Sequence, residues 1–171
     1  INGIDIRKHG SGNIGATNIL RALGKKWGYL CFFLDFLKGF IPVLSVSLIA
    51  KKCAPEFNCE NAALLAFAGV YCGHVWTIFL GFKGGKGVAA AAGAIFAAAP
   101  LPFAICLTVW MAVFFLSRYV SLASIAASAA LPESALAADK FYVHNNYSLK
   151  TIVFFCVIAG LSIIKHSSNI K

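Results

Sequence analysis

Residues 29–50 read YLCFFLDFLKGFIPVLSVSLIA, an apolar run with two charged side chains, Asp35 and Lys38. A membrane-spanning helix takes about 20 mostly apolar residues, so this run is long enough to cross a bilayer. Of the 171 residues, 60% are hydrophobic and 12% are charged, whereas about a quarter are charged in soluble domains. We therefore expect one integral membrane domain over residues 1–171, with no nucleic acid as a partner.

The other apolar runs predict an all-α, polytopic transmembrane bundle with about six crossings. They are residues 62–80, 88–117, 119–131 and 149–164. The second of these is too long for one untilted crossing, and we expect the prolines at 100 and 102 to divide it into two. The third is short, ends before Pro132, and carries small residues such as Ser124 and Ser128 that suit tight helix packing.

The distribution of charge tests this count of crossings. If residues 88–117 cross twice, one side of the membrane carries a single acid, Asp5, and ten basic residues, at positions 7, 8, 21, 25, 26, 83, 86, 118, 165 and 171. By the positive-inside rule that side is cytoplasmic. A single crossing would move the basic C-terminus to the other side and weaken the asymmetry, so we expect two.

Residues 10–18, GSGNIGATN, form a glycine-rich polar segment that we call the first cassette. Its glycines match the dinucleotide-binding pattern G-x-G-x-x-G, but that pattern requires a preceding strand in a soluble βαβ unit. We expect instead a turn rich in N–H donors that leads into an amphipathic helix over 16–23. The N-terminus of such a helix can hold an anion, with Arg21 close by.

Residues 81–87, GFKGGKG, form the second cassette. It is not a Walker A loop, because Gly81 is one residue too close to Lys86 and Gly87 replaces the required Ser or Thr. A glycine loop with two lysines before a helix that begins at Val88 suits a phosphate or a phosphate ester. For Lys83, a lysine that snorkels from a flexible turn is an equal alternative.

The titratable groups inside the apolar runs are expected to be structural. Asp35 and Lys38 are three residues apart on one helix, which predicts a mutually neutralising pair that locks helix packing. His74 is expected to be a core histidine. Cys53 and Cys59 share a loop and either form a disulfide or remain free, the alternative that we favour, and the cysteine spacing predicts no metal site.

Several segments carry a resemblance to one family. They are GSGNIGATN at 10–18 with Arg21 and LGKK at 23–26, DFLKG at 35–39, FKGGKGV at 82–88, RYVSL at 118–122 and His166-x-x-Asn169. Together they resemble the acyl-phosphate-dependent glycerol-3-phosphate acyltransferases of bacterial membranes, the PlsY family. Family members begin with one more transmembrane helix and continue with further motif residues after the segment His166-x-x-Asn169. We expect this chain to lack both the first helix and this continuation.

The resemblance implies a seven-helix bundle in a complete member, about six crossings here, and an active site on the cytoplasmic side of the bacterial inner membrane. The implied reaction moves a fatty acyl group from acyl phosphate to the sn-1 hydroxyl of glycerol 3-phosphate, giving lysophosphatidic acid and phosphate. A partner enzyme that makes acyl phosphate is then expected. No metal or organic cofactor is implied.

The resemblance also assigns the site. The expected catalytic residues are Ser11, Arg21, Lys86 and His166. The expected substrate-binding residues are Asn13, Thr17, Asn18, Lys83, Gly84, Gly85, Gly87 and Asn169.

Two questions stay open from the sequence. Acyl phosphate is already activated, so positioning and charge stabilisation can supply most of the catalysis, and the proton acceptor is either a substrate phosphate oxygen or His166. The alternative function is a phosphate or phosphoester transporter whose half-helix ends hold the anion.

Overall fold

The structure is a computed structural model that describes residues 3–53, 58–141 and 147–169. Within those ranges the chain is helical, without a strand, as the all-α prediction requires. The α-helices are α1 (Ala16–Leu23), α2 (Lys25–Cys53), α3 (Cys59–Val75), α4 (Val88–Ala98), α5 (Pro100–Ser117), α6 (Val120–Phe141) and α7 (Leu149–Lys165). Short 3₁₀ turns occur at Ile6–Lys8, Ile78–Leu80 and Ser167–Asn169.

The bundle is polytopic, as the apolar runs predict. Four helical segments of the described chain are long and apolar enough to cross a membrane, and they are Lys25–Lys52, Cys59–Leu80, Pro100–Ser117 and Val120–Lys140. Helices α4 and α7 have 11 and 17 residues. An untilted crossing takes about 20 residues, so both helices are shorter than one. That α4 and α7 cross the membrane, which would make six crossings, remains a prediction.

Two prolines have different effects on the helices that contain them. The predicted division of residues 88–117 is confirmed, because α4 ends at Ala98 and Pro100 occupies the first position of α5, where a missing N–H removes no intrahelical bond. The predicted end of the next segment before Pro132 is wrong, since α6 continues to Phe141. Leu131 and Ala135, on either side of this proline, are buried in the core, and packing of this kind lets transmembrane helices tolerate an internal proline.

Helices α2 and α4 approach each other closely at two glycines. A Cβ on Gly39 would overlap the carbonyl oxygen of Ala90, and a Cβ on Gly93 would overlap the carbonyl oxygen of Phe36. Small residues permit this contact between backbones. This α2–α4 contact holds α4, which begins directly after the second cassette, against α2.

Residues of α2 to α7 all contribute to the core, in which Phe67, Tyr71 and Phe155 are fully buried. Large apolar side chains also point outward, and Leu65 is 68% exposed, as expected for helices that face lipid. Ser128 and Ser162 join α6 to α7 through their hydroxyl groups, 2.8 Å apart. This contact confirms the expected packing role of the small residues in α6.

A carboxylate joins α3 to α7 at the end of α3 away from the second cassette. Glu60 Oε1 accepts hydrogen bonds from the Ser148 N–H at 3.2 Å and from the Ser148 and Thr151 hydroxyl groups. The neighbouring Cys59 is a free thiol, whereas the side chain of Cys53 lies outside the described residues. The free-thiol alternative is thus confirmed for Cys59, and Cys53 stays a prediction.

Candidate active site

The first cassette is held together by the side chain of Asn18, which is 2% exposed. Its Oδ1 accepts the Ser11 N–H at 3.0 Å, and its Nδ2 donates to the carbonyl groups of His9 and Asn13 at 3.0 and 2.8 Å. Gly10 has a φ of +58°, and a Cβ there would overlap the Asn18 amide. Asn18 therefore folds the loop that precedes α1, which begins at Ala16 as predicted.

The other expected residues of the first cassette differ in exposure. Asn13 Oδ1 accepts the Gly15 N–H at 2.7 Å, which shapes the turn before α1. Ser11, Thr17 and Arg21 are exposed on the surface of this segment. These three side chains are thus placed where a ligand in solvent can reach them.

Asp5 precedes the first cassette and is the acid that the charge count predicts for the basic side. It forms an ion pair with Arg7 at 2.9 Å. The hydrogen bonds from Arg7 lower the pKa of Asp5 to about 2. A carboxylate of such low basicity is a poor proton acceptor near neutral pH.

The second cassette packs against the C-terminal end of α3. The Gly84 N–H donates to the Val75 carbonyl at 3.1 Å, and the Gly85 N–H donates to the His74 carbonyl at 3.2 Å. A Cβ on Gly84 would overlap the His74 carbonyl oxygen. We expected Gly84 and Gly85 to bind substrate, but in the structure the N–H groups of both donate to α3.

The second cassette ends at the N-terminus of α4. Gly87 is the N-cap, with a φ of +82° and no side-chain cap. The first hydrogen bond of the helix runs from the Ala91 N–H to the Gly87 carbonyl at 2.7 Å. The N–H groups of residues 88–90 therefore lack an intrahelical partner, and the positive end of the helix dipole lies beside Lys86.

Lys86 connects the second cassette to the C-terminal segment. Its Nζ donates to Asn169 Oδ1 at 2.6 Å, across 83 positions of the sequence. Burial lowers the pKa of Lys86 from its ordinary value of 10.5. Lys83, by contrast, is exposed. The contact also confirms that the second cassette and the C-terminal segment lie on one face, as two crossings within 88–117 require.

His166 lies next to this contact, at the end of α7, and is 3% exposed. Its Nδ1 is 2.8 Å from the Ser162 carbonyl oxygen. A carbonyl oxygen only accepts hydrogen bonds, so Nδ1 carries the proton and Nε2 of the neutral ring is an acceptor. Burial lowers the pKa of His166 below 6.5 and the charge of Lys86 lowers it further, against an opposing effect of the Ser162 hydrogen bond. The ring is therefore neutral near pH 7.

A cation–π contact fixes the end of α7 against α3. Lys165 Nζ lies 5.0 Å from the centre of the Trp76 ring. Trp76 follows directly after α3, where the second cassette is also attached. The end of α3 thus supports both the second cassette and the segment that carries His166.

The predicted Asp35–Lys38 pair is confirmed, with 3.1 Å between Asp35 Oδ1 and Lys38 Nζ. His74 is buried, as expected for a core histidine, and it also contacts Asp35 and the second cassette. The sequence contains no signal for the contact between His74 and the second cassette, because it does not reveal how residues 76–84 turn back towards α3.

The structure brings together four of the expected site residues, Lys86, Gly87, His166 and Asn169. The side-chain hydrogen bonds described for the first cassette stay within residues 5–18. Its approach to Lys86 therefore remains a prediction.

The chain is similar in sequence to known proteins. The family model described as glycerol-3-phosphate acyltransferase matches residues 1–171. The glycerol-3-phosphate acyltransferase of Aquifex aeolicus (strain VF5) is 45% identical over 173 residues, which cover 100% of this chain and 82% of the relative. The one of Desulforamulus reducens is 42% identical, over 98% of this chain and 77% of the relative.

Two solved structures are similar in fold and sequence. Both are crystal structures of PlsY, an integral membrane glycerol 3-phosphate acyltransferase. The glycerol 3-phosphate form has a TM-score of 0.83 and 42% identity, covering 98% of this chain and 78% of that one. The lysophosphatidic acid form has a TM-score of 0.78 and 41% identity, covering 94% and 75%. The chain belongs to the glycerol-3-phosphate acyltransferase family.

Proposed function

We propose that this protein transfers a fatty acyl group from acyl phosphate to the sn-1 hydroxyl of glycerol 3-phosphate, giving lysophosphatidic acid and inorganic phosphate. The observation that carries the proposal is the hydrogen bond between Lys86 and Asn169. It lies close to the N-terminus of α4 and beside His166. The relatives' activity and the ligand forms of the similar structures support it. They do not favour the transporter alternative.

Lys86 and the N-terminus of α4 form the phosphate site in this proposal. A half-buried ammonium group interacts with a phosphate more strongly than one in water, because the local dielectric is lower. The uncapped N–H groups of residues 88–90 add donors in the direction of the helix dipole. Gly84 and Gly85 contribute by allowing the close approach to α3 that places Lys86.

The acceptor hydroxyl is held at the opposite side of this site by His166 and Asn169. Its oxygen attacks the carbonyl carbon of acyl phosphate, the bond from that carbon to the phosphate oxygen breaks, and inorganic phosphate leaves. The hydroxyl proton passes either to a substrate phosphate oxygen or to His166 Nε2, which is the unprotonated nitrogen of the neutral ring. The low pKa of Asp5 makes this carboxylate a weak proton acceptor.

The first cassette completes the site. Ser11, Thr17 and Arg21 contact phosphate and glycerol oxygens, as their exposure permits, and Lys83 adds positive charge at the entrance. Asn13 and Asn18 act through the shape of the loop, because their amide groups bind its backbone. This assignment requires the first cassette to lie beside Lys86 in the substrate complex.

We place the site on the cytoplasmic side of the bacterial inner membrane. The excess of Lys and Arg on the face that carries Lys86 and His166 supports this orientation. Acyl phosphate, with a long chain in the bilayer and a phosphate at its surface, then reaches the site from the inner leaflet. An enzyme that produces acyl phosphate is the expected partner.

The test is an assay of the full-length natural protein in lipid, with palmitoyl phosphate and glycerol 3-phosphate. Lys86→Ala and Arg21→Ala should each lower kcat/KM by about 100-fold or more, because each removes a charge that stabilises the transition state. Lys25→Ala, which removes an exposed cation from the start of α2, is the matched control and should stay near the wild-type rate.

Wild-type turnover by either site variant would contradict the residue assignment. Accumulation of labelled phosphate in sealed vesicles without lysophosphatidic acid would contradict the reaction itself and favour a carrier.

A further inference from the structure

Two buried polar side chains, Asp35 and His74, meet where α2 packs against the end of α3, and Lys38 reaches Asp35 from the exposed side. Asp35 Oδ1 lies 3.1 Å from Lys38 Nζ and 3.6 Å from His74 Nδ1. Asp35 and His74 are 9% and 8% exposed. Buried ionisable groups are costly, and a core that needed only packing would be filled at lower cost by apolar side chains.

His74 contacts the second cassette at two points. Its carbonyl accepts the Gly85 N–H at 3.2 Å. On its other side, the imidazole Nε2 occupies the space that a Cβ on Gly85 would need. The backbone directly before Lys86 is therefore fixed by one residue, through its main chain and its ring.

Asp35 lies beside the Nδ1 atom of that ring. Its carboxylate is 3.6 Å from His74 Nδ1, beyond hydrogen-bond length but close for an electrostatic contact in a buried site. The contact favours the ring orientation that directs Nδ1 to Asp35 and Nε2 to Gly85. Lys38, whose side chain is 57% exposed, balances the charge of Asp35 from the same helix.

We propose that Asp35 and His74 are positioning residues of the phosphate site. Asp35 orients the His74 ring, and His74 fixes Gly85. Lys86, which lies just before α4, is thereby placed to reach Asn169. The inference rests on the proposed function, since it assigns Lys86 to phosphate. Neither residue is a catalytic residue in this scheme, because both act through the second cassette.

A double-mutant cycle tests the contact between His74 and Gly85. Gly85→Ala should weaken glycerol 3-phosphate binding and raise its KM by about tenfold or more, since misplacement by about 1 Å can cost 100-fold. His74→Ala removes the ring that the new methyl group would overlap. In that background Gly85→Ala should therefore cost at least about threefold less than in the wild type.

Gly84→Ala is the matched control. Its added methyl would overlap the main-chain carbonyl oxygens of His74 and Val75, and His74→Ala leaves these atoms in place. Gly84→Ala should thus cost the same in both backgrounds. An equal cost of Gly85→Ala in the two backgrounds would overturn the contact.

Asp35→Asn tests the orienting role, because it keeps the shape of the side chain and removes its charge. It should raise the KM for glycerol 3-phosphate with little change in kcat, and His74→Ala should abolish this effect. A merely structural residue would lower the amount of folded enzyme, and so kcat, without changing KM. That second pattern would overturn the proposal.

Both readouts are taken on the full-length natural protein, the dissociation constant by calorimetry with glycerol 3-phosphate and the KM by acyl transfer. Wild-type binding without turnover would contradict the proposed reaction while the cycle still tests the positioning contact. Wild-type turnover with an additive cycle would overturn the positioning role alone. Absence of wild-type binding would overturn both.

Discussion

The charge of Lys86 affects the protonation of His166. The positive charge of Lys86 disfavours a second positive charge on His166, and because His166 is buried and Lys86 half-buried, water screens the repulsion less than it does at an open surface. The Ser162 carbonyl meanwhile fixes the proton on Nδ1. A neutral His166 with a free Nε2 is the protonation state that can accept a hydrogen bond from a hydroxyl group.

The pH dependence of acyl transfer follows from this state. Because the pKa of His166 is lowered below 6.5, kcat/KM should hold as pH falls to 6.5 and decline at lower pH, where the ring takes up a proton. His166→Gln should lower kcat/KM by about 100-fold if the ring accepts the proton. The measurement is a profile of kcat/KM against pH for both proteins.

The substrate phosphate also titrates in acid, so the variant serves as the control. Its profile should keep only the limb that belongs to the substrate. Superimposable profiles at nearly equal rates would mean that His166 takes no part in the proton transfer.

At the scale of elements, α4 is held in place by its contact with α2. Gly39 and Gly93 let the two backbones meet, so that the hydrogen-bonded chain of each helix touches the other directly. Since α4 carries the phosphate site at its N-terminus, the crossing sets the position of that terminus relative to α2. A side chain in place of Gly39 or Gly93 would push α2 and α4 apart.

Substitution of these glycines should therefore destabilise the bundle. Gly93→Ala would place its methyl against the Phe36 carbonyl oxygen, and overpacking of this kind costs about 1–3 kcal/mol. The midpoint of thermal unfolding in detergent should fall accordingly.

Gly69 and Gly73 in α3 provide the control. Neither has an atom within 4 Å of an added Cβ, and replacing a helical glycine by alanine gains about 0.5–1 kcal/mol. Gly69→Ala should thus leave the midpoint unchanged or raise it. A fall of equal size in both variants would show that the crossing has no special role.

At the scale of the whole molecule, the helices converge on one face. The second cassette and the end of α7 meet there, while Glu60 joins α3 to α7 at the far end of α3. Contacts thus hold α7 at both ends, at the proposed site and away from it. The arrangement requires an even number of passages between residues 87 and 166.

The orientation of the molecule can be measured by labelling. In a variant without its native cysteines, Lys25→Cys should react with a membrane-impermeant maleimide only after the inner face is made accessible. Lys140→Cys should react from outside in intact cells. Both positions are exposed in the structure, so burial does not limit the reaction. The reverse pattern would place the site on the outer face.

The membrane class and most helix positions follow from the chain alone, since apolar runs and prolines act locally. Helix α1 begins and ends where its apolar pattern predicts, and the break at Ala99 lies next to the first proline of the pair. Pro132 is the exception, because packing of Leu131 and Ala135 in the core outweighs the local preference to end a helix. Family membership was likewise readable from the motifs.

The geometry of the site depends instead on contacts between residues far apart in the chain. No local pattern announces that Lys86 meets Asn169 across 83 positions, or that Gly85 lies against the ring of His74. The glycines of the second cassette look like anion-binding residues in the sequence. Packing gives two of their N–H groups to α3, because the end of a buried helix needs partners for its last carbonyl groups.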